Sequence, residues 1–226
     1  MNLSSGNSGA ILREAIVKTG PDCQFEAAFC RHLGEKVCPE VYSSWTEGYV
    51  MERLEPAPRT PDLLRRIEKL LEENVWNRPS QNFEVTGQLN YIEFQRLMRI
   101  TTPDFAKPTS FCLIHGDPTV SNAMARSDGS LVLIDPRAPN GHIPSAAMVD
   151  RGKILQSLFR WEEIAYNEPP VNYENPDFLY DSLLRKQSMF WAFYHISRIE
   201  QLEISRNLNR PYILEWCRKT KEKCYE

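Results

Sequence analysis

The chain has 226 residues, 42% of them hydrophobic and 25% charged, with a net charge of −3; this is the composition of a folded globular protein rather than a disordered one. Nucleic acid is disfavoured as the main partner because there is no dense Lys/Arg run, and a membrane span is disfavoured because no apolar run approaches about 18 residues. No charged segment followed by an apolar stretch opens the sequence, so a cytoplasmic protein with reduced thiols is expected, and Cys23, Cys30, Cys38, Cys112, Cys217 and Cys224 lack the C-x-x-C and His spacing of a zinc site.

In chain order, "MNLSSGNSGAILREAIVKTGP" reads as a Gly/Ser loop, a strand around Ala10 to Leu12, a turn at Arg13 and Glu14, and a strand from Ala15 to Lys18. In "DCQFEAAFCRHLGE", Asp22 is a candidate N-cap, and the spacing of Phe25, Ala28, Phe29 and Leu33 predicts a short helix ended by Gly34, with Glu26 in its first turns. Two β-like runs follow, Val41 to Trp45 and Gly48 to Leu54, and then "EPAPRTPD", whose prolines make it the best linker candidate.

Beyond the linker the pattern turns helical. Leu63, Leu64, Ile67, Leu70 and Leu71 share one face, and Leu89, Ile92, Phe94, Leu97 and Met98 share another. Within this helical half, "FCLIHGD" and "SLVLIDP" are short apolar runs, and "RSDGS" is a turn between strands, where Asp128-Gly129 is ordinary turn chemistry. Helices are expected again near Ala147, over Gln187 to Leu202, with the aromatic run Met189 to Ile196 as core, and over Pro211 to Lys221.

The chemistry concentrates in "LIHGDPTVSNAMARSDGSLVLIDPR". Two carboxylates and a carboxamide brought around one predicted hairpin repel each other unless a cation or proton lies between them. Magnesium, which combines a few protein oxygens with nucleotide phosphates, resolves that repulsion, making Asn122 and Asp135 candidate metal ligands. Asp117, on a turn, is then free to accept a hydroxyl proton during phosphoryl transfer.

"HGDPTVSN" followed by "LVLIDP" resembles the catalytic and metal-binding loops of the aminoglycoside phosphotransferase and choline kinase family, which has the protein-kinase-like fold. His115, Gly116, Asp117 and Asn122 match the catalytic loop, and Asp135 stands where kinases carry the Asp of D-F-G. The resemblance spans Ser4 to about Gln156. It implies a phosphate-binding loop in "SSGNSGA" (Gly6, Ser8 and Gly9), a phosphate-gripping Lys18 oriented by Glu26, and a hinge in "YVMERLEP" whose backbone, at Glu52 and Leu54, meets adenine. The glycine loop departs from G-x-G-x-x-G, and Glu26 follows Lys18 sooner than in larger kinases.

The implied fold is α+β and two-lobed: a minimal β-bearing nucleotide lobe over residues 1–57, and a mostly helical catalytic and acceptor-binding lobe over 58–226. The implied activity is transfer of the γ-phosphoryl group of ATP or GTP, with magnesium, to a hydroxyl of a small molecule; the alternatives are a pseudokinase scaffold or a kinase-fold enzyme that phosphorylates or AMP-modifies a protein. Only the fourteen residues Pro136 to Val149 separate Asp135 from Asp150, and they contain no A-P-E, which leaves little room for a peptide-holding activation segment.

Other residues carry two readings each. Lys18 and Glu26 are an ion pair or two solvated side chains, and His115 is a structural, hydrogen-bonded residue in preference to a base. Asp150 corresponds to the Asp of the family's D-L-A-K segment, or is an acid favoured by a helix N-terminus. Arg137 contacts phosphate or substrate, or pairs with a surface acid. Asp177, Asp181, Glu200 and Glu203 either favour a cationic acceptor or are solvated.

Overall fold

The computed structural model describes residues 9–11, 15–79, 103–108, 110–137 and 145–225. It is a mixed arrangement of small antiparallel sheets and helices, compatible with the α+β class. Strands β1 (Gly9–Ile11), β2 (Ala15–Thr19), β3 (Val41–Trp45) and β4 (Gly48–Glu52) form one antiparallel sheet in the order β1-β2-β4-β3, with Gly9 opposite Lys18 and Lys18 opposite Tyr49. Alternation along β2 buries Ile16 and Lys18 on the same side, the side that also receives Tyr49 and Met51 in one apolar cluster with Cys23 and Ala27.

Helix α1 (Cys23–Leu33) buries Cys23, Ala27, Phe29, Cys30 and Leu33. This corrects the expected face: Phe25 is 74% exposed and Ala28 is exposed too, because the two cysteines act as small apolar residues and rotate the stripe. The segment expected as a linker begins with a strand. Glu55–Pro56 is a short strand, β5, that pairs with β6 (Ala123–Ala125), which pairs in turn with β7 (Leu131–Leu133). The proline-rich cluster therefore docks as a sheet edge before it turns into helix, a position that tolerates Pro.

The hairpin at "RSDGS" exists, with Gly129 at a φ of 83° and Ser130 N donating to Asp128 Oδ1, but its first strand is Ala123–Ala125. The "FCLIHGD" run is not a strand: Cys112 makes one isolated bridge with Pro79, and Leu113, Ile114 and His115 run as buried irregular chain. Burial of such a segment requires partners for its backbone groups, and these come from Arg78, Ser145, Arg137 and Asp150.

Helix α2 (Leu63–Leu71) inserts Leu63, Leu64, Ile67 and Leu71 into the main core, and continues as a π-helical turn, Glu72–Trp76. The predicted face from Leu89 to Met98 lies outside the described residues, as do Gly6 and Ser8. Helices α3 (Ala147–Leu158) and α5 (Ser182–Ser205) pack closely. Gly152 of α3 permits it, since a Cβ there would stand 2.7 Å from the Trp191 backbone carbon. The aromatic run is core, with Trp191, Tyr194 and Ile196 buried. A short helix α4 (Trp161–Tyr166), not foreseen in the sequence, links α3 to the segment before α5, and α6 (Pro211–Lys223) closes the fold with Pro at its start.

Candidate active site

Lys18 reaches from β2 to two carboxylates. Its Nζ lies 2.6 Å from Glu26 Oε1, on α1, and 2.5 Å from Asp135 Oδ1, just beyond β7. Tyr49 of β4 donates its hydroxyl to the same Glu26 oxygen at 2.5 Å. The three charged side chains are only 11–20% exposed. Burial works against the Lys18 charge, but Asp135 and Glu26 together outweigh it and hold the ammonium above its ordinary pKa. Burial pushes the Glu26 carboxyl up, and the charge of Asp135 adds to this against the pull of Lys18. One ammonium shared by two buried carboxylates leaves a net negative charge, which a bound cation would offset.

The loop from His115 to Asn122 is shaped from beneath by Asp150. The Asp150 carboxylate accepts from the backbone N–H of His115 and of Gly116, both at 2.8 Å, and from Trp76 Nε1 at 3.0 Å. Burial raises its pKa to about 6 in spite of these donors. Gly116 has a φ of 86°, and a Cβ on it would fall 2.1 Å from the Arg137 carbonyl oxygen, so both the turn and the close crossing require glycine. His115 is fully buried; its Nδ1 accepts from Asp117 N–H at 3.3 Å, and burial depresses its pKa to about 4. It is a neutral shaping residue, as its structural reading has it.

Asn122 donates Nδ2 to the Asp117 carbonyl oxygen at 2.8 Å, which leaves its amide oxygen as the atom to offer a cation. Its own carbonyl accepts from Ile134 N–H at 2.9 Å, so the pairing of β6 with β7 sets Asn122 next to the residue that precedes Asp135. Asp135 has a φ of 57°, a left-handed conformation that Asp tolerates better than most residues. Among the described residues no group of three or more His, Cys, Asp or Glu converges as a metal cage. An Asp carboxylate and an Asn oxygen suit magnesium, which takes its other ligands from phosphates and water.

Asp117 meets two cations. Lys153 Nζ, from α3, is 3.0 Å from Oδ1, and Arg137 Nε is 3.4 Å from Oδ2. With its side chain 14% exposed, burial would raise the Asp117 pKa, but Lys153, and after it Arg137, reverse the sign and bring it to about 2. Lys153 was not singled out from the sequence. The signal was present, three residues after Asp150 and so one helical turn along the same face, at the Lys of the D-L-A-K comparison.

Of the residues expected to act, Lys18, Glu26 and Asp135 meet directly, and Asn122 touches Asp117. Gly9 pairs with Lys18 across β1 and β2. At the expected hinge, the Glu52 backbone N–H donates to the Glu40 carbonyl, and its carboxylate pairs with Arg126 at 2.8 Å. Leu54 is buried beside Met124, Val132 and Ile134, which brings the start of the β5 segment against the hairpin that carries Asn122 and precedes Asp135. The chain matches no protein-family model and no curated protein sequence.

Proposed function

We propose that this chain is a two-lobed, protein-kinase-like phosphotransferase of the aminoglycoside phosphotransferase and choline kinase type. It moves the γ-phosphoryl group of ATP or GTP to a hydroxyl of a small molecule, with residues 1–57 as the nucleotide lobe and 58–226 as the catalytic lobe. The observation that carries this reading is the convergence on Lys18: Glu26 and Asp135 lie 8 and 117 residues away in sequence, yet both contact its ammonium. That is the ion-pair arrangement phosphoryl transfer uses to grip phosphates beside a metal-binding Asp.

In this reading Lys18 binds phosphate oxygens, and Glu26, itself held by Tyr49, sets the position of Lys18. Asn122 and Asp135 hold magnesium, which supplies charge neutralisation at the phosphate oxygens. Asp117 accepts a hydrogen bond from the acceptor hydroxyl and aligns its oxygen with the γ-phosphorus. As the new O–P bond forms and the bond to the nucleotide diphosphate breaks, the hydroxyl becomes acidic, and its proton passes to Asp117. A carboxylate held near a pKa of 2 is a weak base toward a free alcohol, so the proton moves late, after the phosphorus has begun to transfer.

Asp117→Asn is expected to keep magnesium-nucleotide affinity within a few-fold and to lower turnover by roughly 10²-fold or more. Calorimetry with nucleotide and magnesium, together with coupled turnover over a panel of hydroxylated metabolites, checks both halves. Nucleotide binding without turnover on any acceptor would identify a pseudokinase scaffold instead, and intact-mass analysis separates added phosphate from added AMP on protein.

A further inference from the structure

We propose that the acceptor is an anionic, hydroxylated small molecule, a sugar or polyol bearing a phosphate or carboxylate, and that Arg137 binds its anionic group while Asp117 receives its hydroxyl. This rests on the phosphotransfer reading above and narrows it to a class of substrate.

The backbone of Arg137 is fixed: it follows Pro136, and its N–H donates to the His115 carbonyl at 2.8 Å. Its side chain, by contrast, is 64% exposed, and its closest approach to Asp117 is Nε at 3.4 Å. Among the described residues Asp117 is the acid this guanidinium pairs with, and most of the side chain faces solvent. A planar fork presented in this way suits the paired oxygens of a phosphate or carboxylate. Lys153 is the more buried cation at 17% exposure, is closer to Asp117, and also reaches Gln156 Oε1 at 3.3 Å; it positions Asp117.

The surrounding charges point the same way. Lys153, 3.0 Å from Asp117 Oδ1, sets a second positive charge beside Arg137. Tyr166 is 48% exposed and close enough to Asp117 and Arg137 to feel both charges; with its hydroxyl hydrogen-bonded to Trp161, it offers an aromatic surface to a sugar. The acids that would recruit a cationic acceptor are engaged elsewhere. Asp177 accepts from Arg65, Asp181 caps α5, Glu200 pairs with Lys221 and Glu203 with Arg210. Glu162 accepts from Ser157, and Glu163 faces Arg160.

The test supplies the full chain with labelled ATP or GTP, magnesium and a cell metabolite extract resolved by ion exchange. Acceptor activity is expected in the fraction retained on an anion exchanger; its sensitivity to alkaline phosphatase distinguishes a phosphate from a carboxylate. With that fraction as substrate, Arg137→Ala should raise the acceptor KM by about 10- to 100-fold and leave kcat within a few-fold. Arg137→Lys should recover only part of the loss, since it keeps the charge but not the fork. Acceptor activity in the unretained or cation-exchange fractions overturns the proposal while leaving phosphotransfer intact. So does an Arg137→Ala variant with reduced kcat and an unchanged KM, because the guanidinium would then serve the transferring phosphoryl group. Nucleotide binding with no labelled product in any fraction overturns the phosphotransfer reading itself.

Discussion

His115 shows how a polar residue acts on its neighbours through burial: it is fully buried and shapes the turn that leads to Asp117. The unfolded ring titrates near 6.5, but burial brings the folded value to about 4, so the unfolded chain binds the extra proton between these values. The stability this ring contributes is complete above pH 6.5 and is lost as pH falls toward 4. Between pH 7 and pH 5 it should cost the wild type about 2 kcal/mol relative to His115→Asn, whose carboxamide can still accept from Asp117 N–H. Urea unfolding of both proteins at the two pH values gives the comparison. A difference that is independent of pH would mean that the ring takes up its proton equally readily in the folded and unfolded protein, and so is not shielded by burial. At the same scale Gly116 and Asp150 supply the shape of the loop, one by the absence of a side chain and the other by accepting two adjacent backbone N–H groups.

At the scale of elements, the close crossing of α3 and α5 fixes Lys153 and Asp150 beneath the loop. Gly152 sits between them in sequence, and a Cβ on it would stand 2.7–2.8 Å from backbone atoms of Trp191 and Ala192. Ala at this position gains about 1 kcal/mol of helix propensity but forces two helix backbones apart, and with backbone atoms this close the cost lies at the upper end of about 1–3 kcal/mol, a net loss of about 1–2 kcal/mol. Gly152→Ala is therefore expected to lower Tm by about 2–6 °C, measured by calorimetry, and to loosen the contact of Lys153 with Asp117. An unchanged or higher Tm would show that the helices separate without loss. The β6–β7 hairpin has the corresponding role for the metal-binding candidates. Its register sets Ala123 opposite Leu133, so that Asn122 and Asp135 are carried at neighbouring points of one frame.

For the whole molecule, the Lys18 ammonium joins the four-stranded sheet and α1 to the loop after β7. Lys18→Met should leave Glu26 and Asp135 facing each other without their cation, which costs about 3 kcal/mol at pH 7. The sign follows from Glu26: burial already pushes its carboxyl up, and without the ammonium that opposes this it rises further, so protonation relieves the variant. Its deficit relative to wild type should shrink as pH falls from 7 toward 5, read by urea unfolding at each pH. A deficit of the same size at both would mean that packing of the Lys stem, not its charge, connects these elements.

The local code of the sequence determined much of this protein, because spacing and turn chemistry act over a few residues. It predicted the strand bearing Lys18, the helix bearing Glu26, the turn at Asp128-Gly129 and the core helix with Trp191, together with the order of the charged residues that later converge. Only the tertiary structure decided which of them meet. Lys153 lies 36 positions from Asp117, and Lys18 lies 117 from Asp135; no periodicity reports a contact at such separations. Tertiary burial also decided that "FCLIHGD" is irregular chain satisfied by Asp150 and Arg137 rather than a strand, and that Phe25 faces out while Cys23 and Cys30 face in. The physical reason is common to all three: the hydrogen-bond partners, counter-charges and packing neighbours that settle these positions come from elements distant in sequence.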